Sequence, residues 1–411
     1  MTEKLKLKEC CEVITDGDHL PPPKATHGIP FITISNINAN NEISFDDTMY
    51  VPIEYYDGLS ETKKAKSEDV LLSVVGSFGK PVYIEKDEKF TFQRHIALLR
   101  HNNKVDGRFL YYTLLNPQFY KTLDKLAIGC SQRTVTLDTL RNIEIDVPRL
   151  DIQRKIVDCL SAIDEKIKIN NSINNNLSNQ ISTLYDYWFV QFDFPNKNKL
   201  PYRINHGGFA YNSQLKLNIP NEWEVIKILD ITKITWGQCP DGTHILDKST
   251  DKPNIYDYCS GAGDMKGGFV VDCQAKTDDS RRFANCGDIL LSIAGKIGDM
   301  CVVDHRISLG RAAMAFTCNN KGEEVFVYSV LKNFNKKITT ISSGSIQKVI
   351  NKDHIDELFL PYNRETVAEF CRITSPMYNT IIENTLENRK LTTFRDWLLP
   401  MLMNGQATID D

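Results

Sequence analysis

Nowhere in the 411 residues do about 18 apolar residues run consecutively, and the opening MTEKLKLKEC is charged from its third residue. Neither a membrane span nor a secretory leader is therefore expected, and the chain reads as cytoplasmic. Cysteine occurs eleven times, an odd count, and never as Cys-x-x-Cys; this argues against a zinc ribbon or a disulfide framework and for reduced thiols. The eight histidines lack paired metal spacing, so no metal site is expected. Excess charge is lacking too. With 49 Lys and Arg against 53 Asp and Glu, a net −4, the chain cannot be one that coats nucleic acid without preference, although a local basic face remains open.

Catalytic signatures are also missing. GSFGK at Gly76–Lys80 is too short for a phosphate loop and runs into Pro81, while Gly261 and Gly263 belong to a turn-like SGAGD that follows no Gly-x-Gly-x-x-Gly pattern. There is no Gly-x-Ser-x-Gly elbow and no Asn-Pro-Pro-Tyr-like methyltransferase tetrad. The expectation is a chain that is not itself an enzyme and binds no cofactor.

What the sequence does contain is a repeat. DVLLSVVGSFG from Asp69 returns as DILLSIAGKIG from Asp288, with the Asp, both leucines, the Ser and both glycines superposing at an offset of 219. Upstream, VITDG ending at Gly17 matches KITWG ending at Gly237; downstream, the stretch from Ser131 to Pro148 matches that from Ser345 to Pro361. A repeat of this length fixes an architecture of two equivalent modules. Within each, short apolar runs closed by glycines read as buried strands, and IPFITISNIN (residues 29–38) alternates like one. A helix is expected over Gly107–Leu126, kinked at Pro117, with a counterpart over residues 324–337.

Each module leads into a long helical stripe. After Pro148, Ile152, Ile156, Leu160, Ile163, Ile167, Leu177, Ile181, Leu184 and Trp188 recur at spacings of three and four, from about Asp151 to Phe189. Asn170 and Asn174 occupy the stripe inside an Asn-rich tract. The tract is either a linker, with Ile169, Ile173 and Leu177 as chance survivors, or part of a continuous helix whose buried asparagines fix register and partner at some cost in stability. A second stripe, Phe370, Ile373, Met377, Ile381, Leu391, Phe394 and Leu398, carries Asn384. The two can pair antiparallel. The expected seam sets Ile156, Ile163, Ile167, Asn170, Asn174, Leu177, Ile181 and Leu184 against Met377, Ile381, Asn384 and Leu391. Pro376 is expected to kink the second helix or delay its start. The stripes end in aromatic turns, YDYWF at residues 185–189 and RDWLL at 395–399.

The fold class is therefore α+β, two pseudo-symmetric globular domains separated by two long antiparallel helices. The segments are a module over 1–150, a helix over 151–195, a module over 196–363 and a helix over 364–411. Residues 196–220 read as a loop into module two.

Long polar side chains recur at equivalent places. Arg94 in QRHIALL matches Arg311 in GRAAMAF, and Gln132 with Arg133 matches Gln347 with Lys348; His95 follows Arg94, and Lys296 stands in the glycine turn of the second copy. In the DNA major groove Arg pairs with guanine and Gln with adenine through two hydrogen bonds each, which makes these eight the candidate DNA contacts. A plainer reading has Arg94 and Arg311 holding carboxylates within their own modules and Gln132 and Gln347 capping the following helices. The residues leave both readings open.

In the order of its duplicated motifs, D-x-L-L-S-x-x-G-x-x-G followed by GCSQRTV to Pro148 and GSIQKVI to Pro361, the chain resembles the specificity subunit of type I restriction-modification systems over essentially its whole length. The resemblance implies two target recognition domains, each reading half of a bipartite double-stranded DNA site. It also implies a helix pair that sets the spacer and docks two methyltransferase subunits, which hold S-adenosylmethionine; two restriction subunits with motor and nuclease activity can join. The family has no catalytic site in this subunit. Two departures stand out: Glu68 precedes Asp69 where Gly287 precedes Asp288, so the turn entering that strand is expected to differ between modules, and Pro376 bears on where the distal helix starts. Without the resemblance, a two-fold scaffold for protein or peptide partners explains the residues as well, with an enzyme of cryptic site third.

Overall fold

The computed structural model describes residues 2–38, 40–129, 133–265, 268–341, 350, 355–407 and 409, with backbone alone for 336–341. The chain divides into two compact units, Met1–Lys166 with Lys390–Asp411, and Ile167–Arg389. Each unit takes one globular module and part of each long helix, whereas the segments read from sequence end where module meets helix.

In the first unit a four-stranded antiparallel sheet runs in the order Cys11–Asp16, Ile96–His101, Val70–Ser73, Pro81–Tyr83. Val70 and Leu72 face the core that holds Phe109 and Leu110 of the helix Gly107–Leu115, while Leu71 faces Ile32, Phe90 and Phe92. Both faces are buried, which is why the strand is apolar throughout instead of alternating. Glu3–Lys6 pairs antiparallel with Glu144–Val147, Glu3 opposite Val147, so the module begins and ends on one two-stranded clasp. The expected kinked helix is two helices, Gly107–Leu115 and Pro117–Leu126. Buried Asn116 accepts from the Gln118 N–H, and Pro117 occupies the first turn; this is a helix start, so the chain breaks there.

The second unit repeats the plan. Its sheet runs Thr232–Trp236, Ala313–Cys318, Ile289–Ser292, Met300–Val302, and Glu224–Lys227 pairs with Phe359–Tyr362 as the clasp. A single helix, Glu324–Ile341, stands where the first module has two. Residues 196–220 are not all loop: Phe209–Asn212 and Leu217–Pro220 form a hairpin. Its Phe209 ring lies 6.1 Å from Phe192 and 5.7 Å from Tyr202, and both of those rings belong to a cluster with Phe194 and Trp223. Burial of that cluster, made over long sequence separations, orders a stretch whose local composition says loop.

The first long helix, Leu150–Tyr185, runs unbroken through the Asn-rich tract and closes in a π-helical turn, Asp186–Val190. The second, Arg364–Met403, passes through Pro376 and also contains the RDWLL segment, which is therefore no turn. An interior proline costs about 3 kcal/mol. Phe370, Thr374, Tyr378 and Ile381 are buried on both sides of it while Pro376 faces outward, and burial of each large apolar side chain contributes about 1.5–3 kcal/mol, so the helix holds. Ile152 does not join the seam. Gln153 takes the inward place, fully buried, accepting from the Asp106 N–H and donating to the Lys104 and Pro148 carbonyls. Phe394 likewise turns outward and stacks on Trp397.

Candidate nucleic-acid interface

The repeated D-x-L-L-S-x-x-G-x-x-G motif builds the same turn twice, atom for atom. Ser73, fully buried, donates its hydroxyl to the Ser77 carbonyl at 2.9 Å and accepts from the Lys80 N–H at 2.9 Å. Ser292 does the same with Lys296 at 2.7 Å and Asp299 at 2.9 Å. The tips hold Gly76 and Gly295 at φ of 67° and 76°, the left-handed region that favours glycine. The expected difference at the strand entrance is absent. Glu68 adopts φ 72° where Gly287 has 90°, and both donate N–H to the returning strand at 2.8 Å, Glu68 to Ile84 and Gly287 to Val303. The fold imposes the turn, and glutamate bears the strain.

Immediately past the serine, the candidate segments meet. The Val74 N–H donates to the His95 carbonyl at 2.9 Å, and the Val74 carbonyl accepts from Val135 N–H at 2.8 Å. In the second module the Ile293 N–H donates to Ala312 at 2.9 Å and its carbonyl accepts from Ile350 at 3.2 Å. One residue in each module thus ties the arginine segment (94–95, 311–312) to the segment following Gln132–Arg133 or Gln347–Lys348. Gln132, Gln347 and Lys348 themselves lie outside the described residues.

The remaining candidates differ in their freedom. Arg94 and Arg311 are exposed, and neither guanidinium is paired with a carboxylate among the described residues; Arg94 Nε reaches only His95 Nε2, at 3.5 Å. Burial and then the Arg94 charge hold the His95 pKa below its ordinary value, which favours the neutral ring. Arg133, by contrast, donates to the Asp124 carboxylate and carbonyl and sits over the Phe78 ring at 5.5 Å. The cap of the helix Leu137–Asn142 is Thr136, which accepts from Thr139 N–H. Lys296 is exposed and 2.8 Å from Asp299.

Two further residues share this site and were not singled out from sequence. Gly17 and Gly237 approach backbone so closely that a Cβ would fall 1.9 Å from the Phe92 carbonyl oxygen and 2.0 Å from that of Gly310. The next residues, Asp18 and Gln238, donate N–H to Phe92 and Leu309, and the Arg94 N–H donates to the Asp18 carbonyl. The Asp18 carboxylate lies beside the Tyr55 hydroxyl, whose pKa is held above its ordinary value by burial and then by that carboxylate. The sequence signal was the residue just past the matched glycines, where the repeat diverges.

Along the long helices, Asn170 is buried and donates to Glu387 Oε2 at 2.7 Å and Asn388 Oδ1 at 2.8 Å. Asn174 accepts from Asn384 at 2.9 Å. Ile181 and Ile381 are buried in one core, with Leu177, Leu184 and Met377 packed against it. Ile156 is buried in the first unit's core, Ile163 is buried, and Ile167 and Leu391 are half-buried.

Among the described residues no helix is long and apolar enough to cross a membrane, and no group of three or more His, Cys, Asp or Glu side chains is placed to hold a metal ion. Residues 2–179 and 220–363 match the family described as type I restriction modification DNA specificity domain. The chain is 23% identical over 314 residues to the type I restriction enzyme MjaIX specificity subunit of Methanocaldococcus jannaschii, covering 75% of this chain and 70% of that protein. It is 19% identical over 407 residues to the HindI specificity subunit of Haemophilus influenzae, covering 84% and 88%. The crystal structure of a type I restriction-modification system S subunit from M. genitalium shares the fold, with a TM-score of 0.56, 16% identity, and coverage of 98% of this chain and 96% of that one. A motif that builds the same turn twice, in a chain matched by one family across both of its modules, leaves a single assignment: the chain belongs to the type I restriction modification DNA specificity family.

Proposed function

We propose that this chain is the non-catalytic, sequence-specific DNA-binding subunit of a type I restriction-modification complex, each module reading one half of a bipartite double-stranded target. The observation that carries the reading is the convergence around Val74 and Ile293. In both modules an exposed arginine, Arg94 or Arg311, stands on a segment bonded to the end of the same buried strand. A guanidinium without a carboxylate partner among the described residues, on a turn tied to a buried strand, is suited to two-pronged contact with guanine or phosphate. The long helices set the spacer and dock methyltransferase subunits, which carry S-adenosylmethionine; restriction subunits join that complex, in the cytoplasm.

The test is methylation mapping of the complex reconstituted with its methyltransferase subunit. Arg94→Ala should relax the half-site read by module one and leave the other intact, and Arg311→Ala should do the converse, each costing roughly 1–3 kcal/mol. Binding should weaken as salt rises. Equal weakening of both half-sites by either change, or DNA binding indifferent to salt, would overturn the reading.

A further inference from the structure

The two units differ at one point in how module helix meets long helix. In the first, Tyr112 Oη donates to Asp164 Oδ2 at 2.7 Å and Arg395 Nη1 donates to Asp164 Oδ1 at 2.8 Å. Burial disfavours the Arg395 charge, but its bonds to Asp164 and Asp396 outweigh this and hold its pKa above the ordinary value. The repeat carries these positions into the second unit. Module helices correspond at an offset of 217, since Leu110 and Val327 N–H donate to the Asp106 and Glu323 carbonyls. The long helices correspond at 214, since Gln153 and Val367 N–H donate to Arg149 and Asn363. Tyr112 becomes Ser329, Asp164 becomes Tyr378 and, with the helices exchanging roles, Arg395 becomes Ile181.

Ser for Tyr and Ile for Arg remove volume, and all three replacements line a cavity of about 10 Å³ together with Ser178, Ser182 and Lys332. Lys332 Nζ donates to the Ser178 and Ser182 hydroxyls at 3.2 and 3.1 Å. Tyr378 is 4% exposed, and its hydroxyl has no hydrogen-bond partner among the described residues. Burial raises its pKa well above the ordinary value, so the group remains an O–H donor. A buried donor left unmade costs about 1–3 kcal/mol.

We infer that this cavity is a binding site for one ordered water, which accepts a hydrogen bond from the Tyr378 hydroxyl and donates to the Ser178 and Ser182 hydroxyl oxygens. The volume selects the occupant: about 10–15 Å³ is what a single water needs, and chloride, though suited to the ammonium and hydroxyls, is larger. The water bridges the two long helices of the second unit, and Lys332 of the module helix joins them through the same serine hydroxyls; in the first unit the Asp164 carboxylate alone makes that junction.

The experiment compares crystal structures and thermal unfolding of the full chain and its Tyr378→Phe variant. One density peak within hydrogen-bond distance of Tyr378 Oη, lost in the variant, together with a melting temperature lowered by roughly 2–4 °C, is the expected result. A site without density, or one that takes up xenon under pressure, would mark a dry cavity and overturn the inference. So would an unchanged or raised melting temperature, because removing a truly orphaned hydroxyl relieves a penalty.

Discussion

Asn384 Nδ2 donates to Asn174 Oδ1 at 2.9 Å, and this contact has an image: Asn170 Nδ2 donates to Asn388 Oδ1 at 2.8 Å. At the offset of 214, Asn170 corresponds to Asn384 and Asn174 to Asn388, so exchanging the two helix segments converts one bond into the other. The asparagines interrupt the apolar stripe in matched pairs, and a shift of either helix by one turn would leave amides facing hydrocarbon.

Replacing Asn384 by Leu should cost roughly 1–3 kcal/mol, because Asn174 loses its donor in a half-buried seam. The double change Asn174→Leu, Asn384→Leu should recover most of that loss, since two apolar groups pack without an unpaired partner. Urea unfolding of the four proteins of this cycle measures the coupling. Additive costs would show that the bond contributes nothing to the pairing.

The two strand-opening aspartates should respond differently to neutralisation. Asp69 receives Arg100 through bonds of 2.9 and 2.7 Å, with both side chains largely buried; Asp69→Asn should therefore cost about 3 kcal/mol. Among the described residues Asp288 has no such cation. Burial raises its pKa from 3.8 against the lowering from the Asn285 N–H and the Thr317 hydroxyl. A folded pKa above the unfolded one gives stability that is full below pH 3.8 and is lost as pH rises through the raised value. Asp288→Asn should accordingly leave the protein as stable or more stable at pH 7, and flatten the pH dependence above 3.8. Chemical denaturation across pH reads both effects.

Glu68→Gly should stabilise the first unit by about 1 kcal/mol, by relieving a left-handed conformation in a residue with a Cβ. Gly287→Glu should cost a similar amount and no more, since a Cβ there meets no atom within 4 Å. Thermal unfolding of the two variants is the check, and a large loss from Gly287→Glu would show crowding beyond the Cβ.

Arg133→Ala should change stability by under about 1 kcal/mol, because the pair with Asp124 is 41% and 45% exposed. A weakening of DNA binding confined to one half-site, beyond that small change, would mean that Arg133 leaves Asp124 to reach the target. Competition binding against half-site variants measures it.

What was legible in the sequence was whatever the backbone needs twice. Asp69, Ser73 and Gly79 recur because a carboxylate, a hydroxyl and a left-handed residue each close a particular hydrogen bond at that turn. Positions without such a duty misled. Glu68 concealed a turn identical to that at Gly287, since propensity names glycine there and tertiary constraint accepts glutamate. Pro376 read as a helix boundary because local rules do not include the burial of Phe370 and Tyr378 on its two sides. The hairpin at 209–220 rests on rings distant in sequence, and Asp18 and Gln238 lay just past the point where the two copies stop agreeing.

Leu399 and Leu402 are 1% and 5% exposed in the core that also holds Leu7, Val70 and Leu110. In chain order they follow every residue of the second unit, Ile167–Arg389. As the chain leaves the ribosome, the side of the first unit's core that Leu399 and Leu402 cover therefore stays open until the second unit has emerged. That side is exposed over the synthesis of more than two hundred residues, so the second unit is the first to be complete.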